Sequence, residues 1–182
     1  MTKNLIFLFR KPNTRDKGTY LYNGSIIFPL DNYARLSLEE NSIVYATLSD
    51  YFDKNDYFTY VDELSNLVQE CGDHRFNSDS PITLKELLIY GDLSLWKLCQ
   101  QHLAEELFNN FFFSKLVRRI VDLEKPKAIF ILSSGKSDRE EIIKSVARKA
   151  GISLSIYSPD VFSKIEYWYN YSFNYFLTRP HP

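Results

Sequence analysis

The sequence contains few of the residues that build disulfide frameworks and metal sites. Among its 182 residues are two cysteines, Cys71 and Cys99, and three histidines that lie far apart. No Cys-x-x-Cys pair occurs, and no set of histidines and cysteines has the spacing of a tetrahedral zinc site. Both cysteines fall in apolar helical patterns. We therefore expect two buried free thiols, no metal and no cofactor.

Long apolar runs and an excess of charge of one sign are also missing. The apolar run near the start, residues 5–9, is too short for a signal peptide or a membrane span. A cytoplasmic chain with no transmembrane segment is therefore expected. The formal net charge is −1, which argues against a nucleic-acid partner. The motifs G-x-S-x-G, H-E-x-x-H and G-x-G-x-x-G do not occur, so the sequence identifies no catalytic residue.

Aromatic residues are abundant instead, with 13 Tyr, 14 Phe and 2 Trp. They concentrate in residues 108–113 and 162–176. The second cluster lies in a predicted helix, residues 161–177, that is aromatic on all sides. Three interpretations of this helix stay open: part of the core, a surface that docks a second domain or chain, or a surface for a membrane or for sugar stacking.

Several elements are indicated by their ends as well as by their apolar pattern. Asp31 is a predicted N-cap and Asn41 a helix end, Gly72 ends a helix over residues 57–71, and Thr83 begins a capping box. Residues 43–48 have the pattern of a buried strand. The long apolar segment 93–123 is predicted to be helical, either as one helix or with a break near residues 109–110. Asn23-Gly24 fits either a hairpin turn or a simple loop before a strand.

The clearest boundaries belong to residues 126–157. Pro126 precedes an apolar strand over 128–132, Ser137 and Glu140 form a predicted capping box, and Gly151 ends the following helix before a strand over 152–157. This is a βαβ unit, whose crossover is expected to be right-handed. The sequence therefore predicts an α/β fold: a three-layer, Rossmann-like domain over residues 1–160 with a mostly parallel sheet flanked by helices. Residues 161–182 form the aromatic helix and tail.

Ligands of open parallel sheets bind beyond the carboxyl ends of the strands. Polar loops follow the predicted strands, and the turn at residues 133–137 offers hydroxyls, a lysine and free amides at a helix start, which suit an anion. A true P-loop would need a glycine where Phe130 stands, and a plain capped turn is the alternative interpretation. The predicted ligand-binding residues are Arg10, Lys11, Asp50, Ser133, Ser134, Lys136 and Ser137.

Residues 95–152 resemble the N-terminal half of GT-B glycosyltransferases of surface-polysaccharide synthesis. The resemblance rests on Leu95-Trp96, on Glu124-Lys125-Pro126 before the strand, and on Ala147-Arg148-Lys149-Ala150-Gly151-Ile152 after it. It implies a Rossmann-like domain that binds a sugar acceptor. Residues 10–17 contain no glycine where the family has a Gly-rich loop, and a second donor-binding domain does not fit in the chain.

The resemblance therefore implies a domain that needs a second protein chain or domain for glycosyl transfer. Two alternatives stay open. The first is a non-catalytic interaction module that uses the aromatic helix. The second is a small hydrolase or transferase that acts through Asp50 or His74.

Overall fold

A computed structural model describes residues 3–12, 24–75, 81–135 and 137–158. The chain divides into two compact units, Met1–Thr47 with Glu124–Pro182, and Leu48–Leu123. Residues 1–160 were predicted to be one domain, and the four-stranded sheet of the Rossmann-like fold lies in the first unit. The predicted aromatic helix at residues 161–177 lies outside the described residues.

The strands and helices are numbered along the chain. The strands are β1 (Asn4–Leu8), β2 (Ser25–Pro29), β3 (Ile89–Tyr90), β4 (Leu93–Ser94), β5 (Ala128–Leu132) and β6 (Ser153–Tyr157). The helices are α1 (Asn32–Glu40), α2 (Lys54–Asp73), α3 (Leu84–Leu87), α4 (Leu95–Glu124) and α5 (Asp138–Lys149), with a 3-10 helix at Leu48–Tyr51.

The first unit contains a four-stranded, all-parallel sheet in the order β2-β1-β5-β6. In the register, Ile6 of β1 lies between Ile27 of β2 and Phe130 of β5. Helices flank this sheet, so the predicted α/β, three-layer Rossmann-like class is confirmed. The predicted βαβ unit also forms, and Gly151 follows α5 in the left-handed conformation that ends many helices.

The central strands β1 and β5 have buried residues on both faces, as expected for parallel strands, whereas the edge strand β6 is partly exposed. On one face, Ile6, Leu8, Ile27 and Leu132 pack against Ala34 and Leu38 of α1. On the other face, Leu5, Phe7, Ile129 and Ile131 are fully buried. The near-continuous apolar sequences of β1 and β5 follow from this arrangement, because every side chain of their central residues meets another layer.

The strand predicted at residues 43–48 was wrong. Residues 43–47 are irregular, and the Ala46 N–H donates to the Ile27 carbonyl oxygen at 2.9 Å. Ile43 and Tyr45 pack on the core, but Val44 is 90% exposed. Side-chain packing therefore holds this segment, and no strand ladder forms.

The hairpin alternative at Asn23-Gly24 would pair β2 with residues before the turn. Those residues lie outside the described part of the chain, and the described partner of β2 is the parallel strand β1.

Helix α1 confirms its predicted caps and carries one buried hydroxyl that lacks a partner. The Asp31 carboxylate accepts from the N–H groups of Tyr33 at 2.9 Å and Ala34 at 3.1 Å, and Asn41 is the C-cap. Within the described residues, the Ser37 hydroxyl is the buried side-chain polar group that makes no hydrogen bond. An unpaired buried hydroxyl costs free energy because its bonds to water are lost on folding.

We expect Ser37→Ala to raise the free energy of unfolding by about 1 kcal/mol, because it removes the unpaired hydroxyl and adds helix propensity. Urea denaturation followed by circular dichroism measures this change. Ser65→Ala is the matched control, because the Ser65 hydroxyl donates to the Val61 carbonyl at 2.9 Å on an exposed helix surface. A loss of stability in Ser37→Ala would show that the hydroxyl is paired.

The second unit is built on α2 and α4, and several of its predicted details need correction. Asp53 is the N-cap of α2, and Asp56 in the first turn forms an ion pair with Arg119. Helix α4 runs unbroken through residues 109–110. Its ring contacts with α2 explain this continuity, since Phe108 and Phe112 both pack against Tyr57.

Gly72 does not end α2 as predicted, because the helix continues through it to Asp73. The glycine lies directly against the indole of Trp96 at the start of α4. Leu64 and Val68, on the same side of α2, pack with Trp96 to form the core of this unit. Both cysteines are free as predicted, but Cys99 is exposed and Cys71 only partly buried, so the prediction of two buried thiols was wrong.

Candidate functional site

The candidate site lies at the carboxyl ends of β1 and β5, in the centre of the sheet of the first unit. From β1 the chain continues to β2, towards one edge of the sheet. From β5 it continues through α5 to β6, towards the opposite edge. Right-handed crossovers that proceed in opposite directions leave the sheet on opposite faces. The gap between the ends of β1 and β5 is therefore a topological switch point, the usual ligand position of such sheets.

Arg10 spans this gap with its side chain. Its Nε donates to the Ser133 carbonyl oxygen at 3.1 Å, and its Nη1 donates to the Lys11 carbonyl oxygen at 3.1 Å. The residue is only 6% exposed. A guanidinium in this position ties the loop after β1 to the loop after β5, and it carries a positive charge into the edge of the core.

A buried carboxylate, Glu140, holds the turn after β5 from the other side. Glu140 is 1% exposed. Its Oε2 accepts from the Ser133 hydroxyl at 2.7 Å, and its Oε1 accepts from the Ser134 N–H at 3.1 Å. The Ser133 Oγ in turn accepts from the Gly135 N–H at 3.0 Å. The turn is thus held by a closed set of hydrogen bonds.

This arrangement differs from the predicted capping box at Ser137. Ser137 is the N-cap of α5, but its side chain makes no capping bond. Glu140 occupies the expected third position of the helix, yet it reaches past Ser137 to the earlier residues of the turn. The physical reason is that the Ser133 hydroxyl is buried and needs an acceptor from the chain, whereas the N-cap at Ser137 is partly accessible to water.

These hydrogen bonds argue against the binding of an anion at the turn. The Ser133 hydroxyl and the Ser134 amide, two of the groups predicted to hold an anion, already bind the Glu140 carboxylate. The first turn of α5 also carries Asp138, Glu140 and Glu141, which complement the positive end of the helix dipole. An internal carboxylate therefore takes the position that a phosphate would use.

Other predicted groups remain accessible at this edge. Lys11, Ser134 and Gly135 are exposed, and Ser137 is partly buried. Lys136, between them in sequence, lies outside the described residues.

The remaining predicted residues belong to the second unit. Asp50 lies in the 3-10 helix at Leu48–Tyr51. Its sequence neighbour Asp53 caps α2 by accepting from the Asn55 N–H at 2.9 Å. His74 is the C-cap of α2 and donates its N–H to the Cys71 carbonyl at 3.3 Å. Asp50 and His74 therefore belong to the second unit, whereas the switch point belongs to the first.

Glu140 is a site residue that was not predicted. Its spacing from Ser137 indicated a carboxylate at the helix start, and that carboxylate was assigned to the helix cap. The sequence signal for its role is the pair of serines and the glycine that stand between an apolar strand and the helix. Buried donors at such a turn require an acceptor from the chain itself.

Two further properties bear on the kind of site. No helix in the described part of the chain is long and apolar enough to cross a membrane. Among residues 3–12, 24–75, 81–135 and 137–158, no three metal-ligating side chains of the His, Cys, Asp or Glu type lie close enough to hold an ion.

The fold and the switch point define a Rossmann-like α/β protein. Comparison of this chain with protein-family models, curated proteins and solved structures finds no match.

Proposed function

We propose that the first unit is a ligand-binding, Rossmann-like domain related to the acceptor side of GT-B glycosyltransferases. Its ligand lies at the switch point between β1 and β5. The observation that carries this proposal is the buried Arg10–Ser133–Glu140 network at the carboxyl edge. Buried charged groups are costly, and they are retained mainly where they hold a fixed arrangement of polar groups.

The ligand that these contacts favour is a neutral, hydroxyl-bearing molecule such as a sugar. Glu140 already binds the Ser133 hydroxyl and the Ser134 amide, which a phosphate would need. The exposed groups at the edge, the Lys11 ammonium and the Ser134 hydroxyl, can donate to sugar hydroxyls without a change in this network. Lys136 and Ser137 complete the proposed set of contacts.

In this proposal the chain supplies the acceptor-binding half of a transferase, in the cytoplasm, and a second protein chain or domain supplies the donor site. Catalysis by this chain alone is not part of the proposal. Glu140 and Arg10 are buried and act as positioning residues.

The test is ligand-observed NMR on the full chain, with a panel of neutral mono- and disaccharides and with inorganic phosphate, at millimolar concentration. We expect at least one saccharide to bind and phosphate not to compete with it. Lys11→Ala and Ser134→Ala should each weaken saccharide binding by about tenfold, the loss expected for one hydrogen bond to a charged or polar group.

Lys127→Ala is the matched control, because Lys127 is an exposed lysine that precedes β5 at the opposite, amino edge of the sheet. It should leave the affinity unchanged. Absence of binding across the whole panel would overturn the proposal, and so would an affinity that is indifferent to Lys11 and Ser134. Phosphate binding weakened by the same two variants would replace the sugar with an anion.

A further inference from the structure

Two buried charged side chains meet at one residue of the turn after β5. Among the described residues, the charged side chains that are buried are those of Arg10 and Glu140. The Arg10 Nε donates to the Ser133 carbonyl oxygen at 3.1 Å, and the Ser133 hydroxyl donates to Glu140 Oε2 at 2.7 Å. A buried charge is costly unless polar groups of the opposite character surround it. The turn is therefore built around a negative charge that the chain itself supplies.

The Glu140 carboxylate occupies the turn as a bound anion would. Its Oε1 accepts from the Ser134 N–H at 3.1 Å and its Oε2 accepts from the Ser133 hydroxyl. The Gly135 N–H donates to the Ser133 Oγ at 3.0 Å. These donors lie just before α5, where the positive end of the helix dipole favours an anion. Ser137 is the N-cap of α5, but its side chain makes no capping bond, so the carboxylate serves the turn instead of the usual helix cap.

We propose that Glu140 is a specificity-determining residue of the switch point, whose buried carboxylate excludes phosphate and other anions. The inference rests on the ligand position proposed above, and it names the residue that restricts the ligand to an uncharged molecule. Two physical effects act together. The hydroxyl and the amide that would bind an anion are already occupied. A second negative charge beside a buried carboxylate is also repelled, because little water screens the two charges.

The acidic neighbours of Glu140 have a smaller effect on an approaching anion. Asp138 and Glu141 lie in the same first turn of α5, and both are exposed. Water and salt screen their charges, so each repels an anion less than the buried carboxylate does. Exclusion of anions should therefore depend on Glu140 and not on the net charge of the helix start.

Truncation of Glu140 tests this inference directly, because it removes the internal anion and leaves the donors of the turn in place. Glu140→Ala deletes a methylene group and a carboxylate, which together have the heavy atoms of an acetate ion. A cavity left by a truncated buried side chain can bind a molecule of matching shape. Acetate should therefore bind to this variant in the position of the missing carboxylate, and inorganic phosphate is the second probe.

The experiment is thermal unfolding of the full chain at neutral pH in acetate, phosphate and chloride of equal ionic strength. At about ten times its dissociation constant, acetate should raise the Tm of Glu140→Ala by about 4 °C relative to chloride. The unaltered chain should show no such rise with acetate. The same comparison on the unaltered chain also removes the general stabilising effect of phosphate salts on proteins.

Two control variants separate the occupied donors from the negative charge. Glu140→Gln removes the charge but still fills the space and offers an acceptor, and Glu141→Ala removes an exposed charge from the same helical turn. Neither control should respond to acetate more than the unaltered chain does. A response of either control equal to that of Glu140→Ala would overturn the proposal. So would a Glu140→Ala variant that neither acetate nor phosphate stabilises beyond the unaltered chain.

A measurement on the unaltered chain covers the case in which Glu140→Ala does not fold. Titration with inorganic phosphate, followed by amide NMR, should leave the Ser134 and Gly135 signals in place, because an internal carboxylate already holds the turn. Saturable shifts of both signals would contradict the proposal. Failure of every saccharide to bind would overturn the proposed function alone, since none of these measurements uses a saccharide.

Discussion

Replacing Glu140 by alanine is expected to lower the free energy of unfolding by about 3 kcal/mol. The substitution removes two hydrogen bonds to a carboxylate that is 1% exposed. The Ser133 hydroxyl can turn to the Gly135 carbonyl oxygen, which lies 3.1 Å away. The Ser134 N–H loses its bond to the carboxylate, and the buried turn loses the charged group that held it.

Glu140→Gln is the informative companion variant. The glutamine carbonyl can keep the bond from the Ser134 N–H, and its amide can donate to the Ser133 hydroxyl, which then donates to Gly135. The expected cost is therefore about 1 kcal/mol or less. Glu141→Ala, a neighbouring exposed glutamate paired with Lys144, should change stability by no more than about 0.5 kcal/mol.

Chemical denaturation of the three variants measures these differences. The decisive quantity is the difference in the free energy of unfolding between the alanine and glutamine variants. If the two are equally stable, Glu140 is not the acceptor that holds the turn, and the network at the switch point must be revised.

Gly72→Ala is expected to destabilise the second unit by about 2 kcal/mol, although alanine is intrinsically the better helix former by about 1 kcal/mol. An added Cβ would lie 2.5 Å from Cζ2 and 2.6 Å from Cε2 of Trp96. These atoms belong to a rigid indole in the core with Leu64 and Val68, so the ring cannot simply rotate away. Helix α2 or α4 must shift instead.

Two variants make this prediction specific. Asn66→Ala, at an exposed position of the same helix, should raise stability slightly through helix propensity alone. In a Trp96→Phe background the smaller ring leaves room for the new methyl group, so the cost of Gly72→Ala should largely disappear. A double-mutant cycle over these two positions measures the coupling. Additive effects would mean that the indole does not restrict residue 72.

Local rules predicted the first unit well where several of them agreed. Around β5, α5 and β6, an apolar run, a proline before it and a glycine after the helix all indicated the same boundaries, and the structure has them within one residue. At residues 43–48 only the apolar pattern supported a strand. The outcome there depended on which neighbour the segment met, since Val44 faces outward while Ile43 packs inward.

Long-range contacts account for most of what could not be predicted. Gly72 resembled a helix end because glycine weakens helices, but the requirement at that position is space for Trp96, a residue far along the chain. The continuity of α4 through residues 109–110 likewise depends on rings contributed by α2. Division of the chain into two units follows from contacts of this kind, which periodicity does not reveal.

The candidate site shows the same division between local and distant causes. Arg10 and the turn at residues 133–137 were predicted from the rule that ligands lie at the carboxyl ends of parallel strands. Their mutual contact, and the insertion of Glu140 into the turn, depend on β1 and β5 being neighbours. That adjacency joins residues from opposite ends of the sequence and had no local indication.

The pairing of Leu5 with Ile129 also constrains how the protein is made. Strands β1 and β2 leave the ribosome first, but the central strand that completes their sheet follows about a hundred residues later, after the whole second unit. At ordinary rates of synthesis this interval lasts about 5–20 s. During this interval one edge of the apolar strand β1 lacks its neighbouring strand, β5. Early contact with a chaperone should therefore matter more for this protein than for a chain of the same length whose strands pair in sequence order.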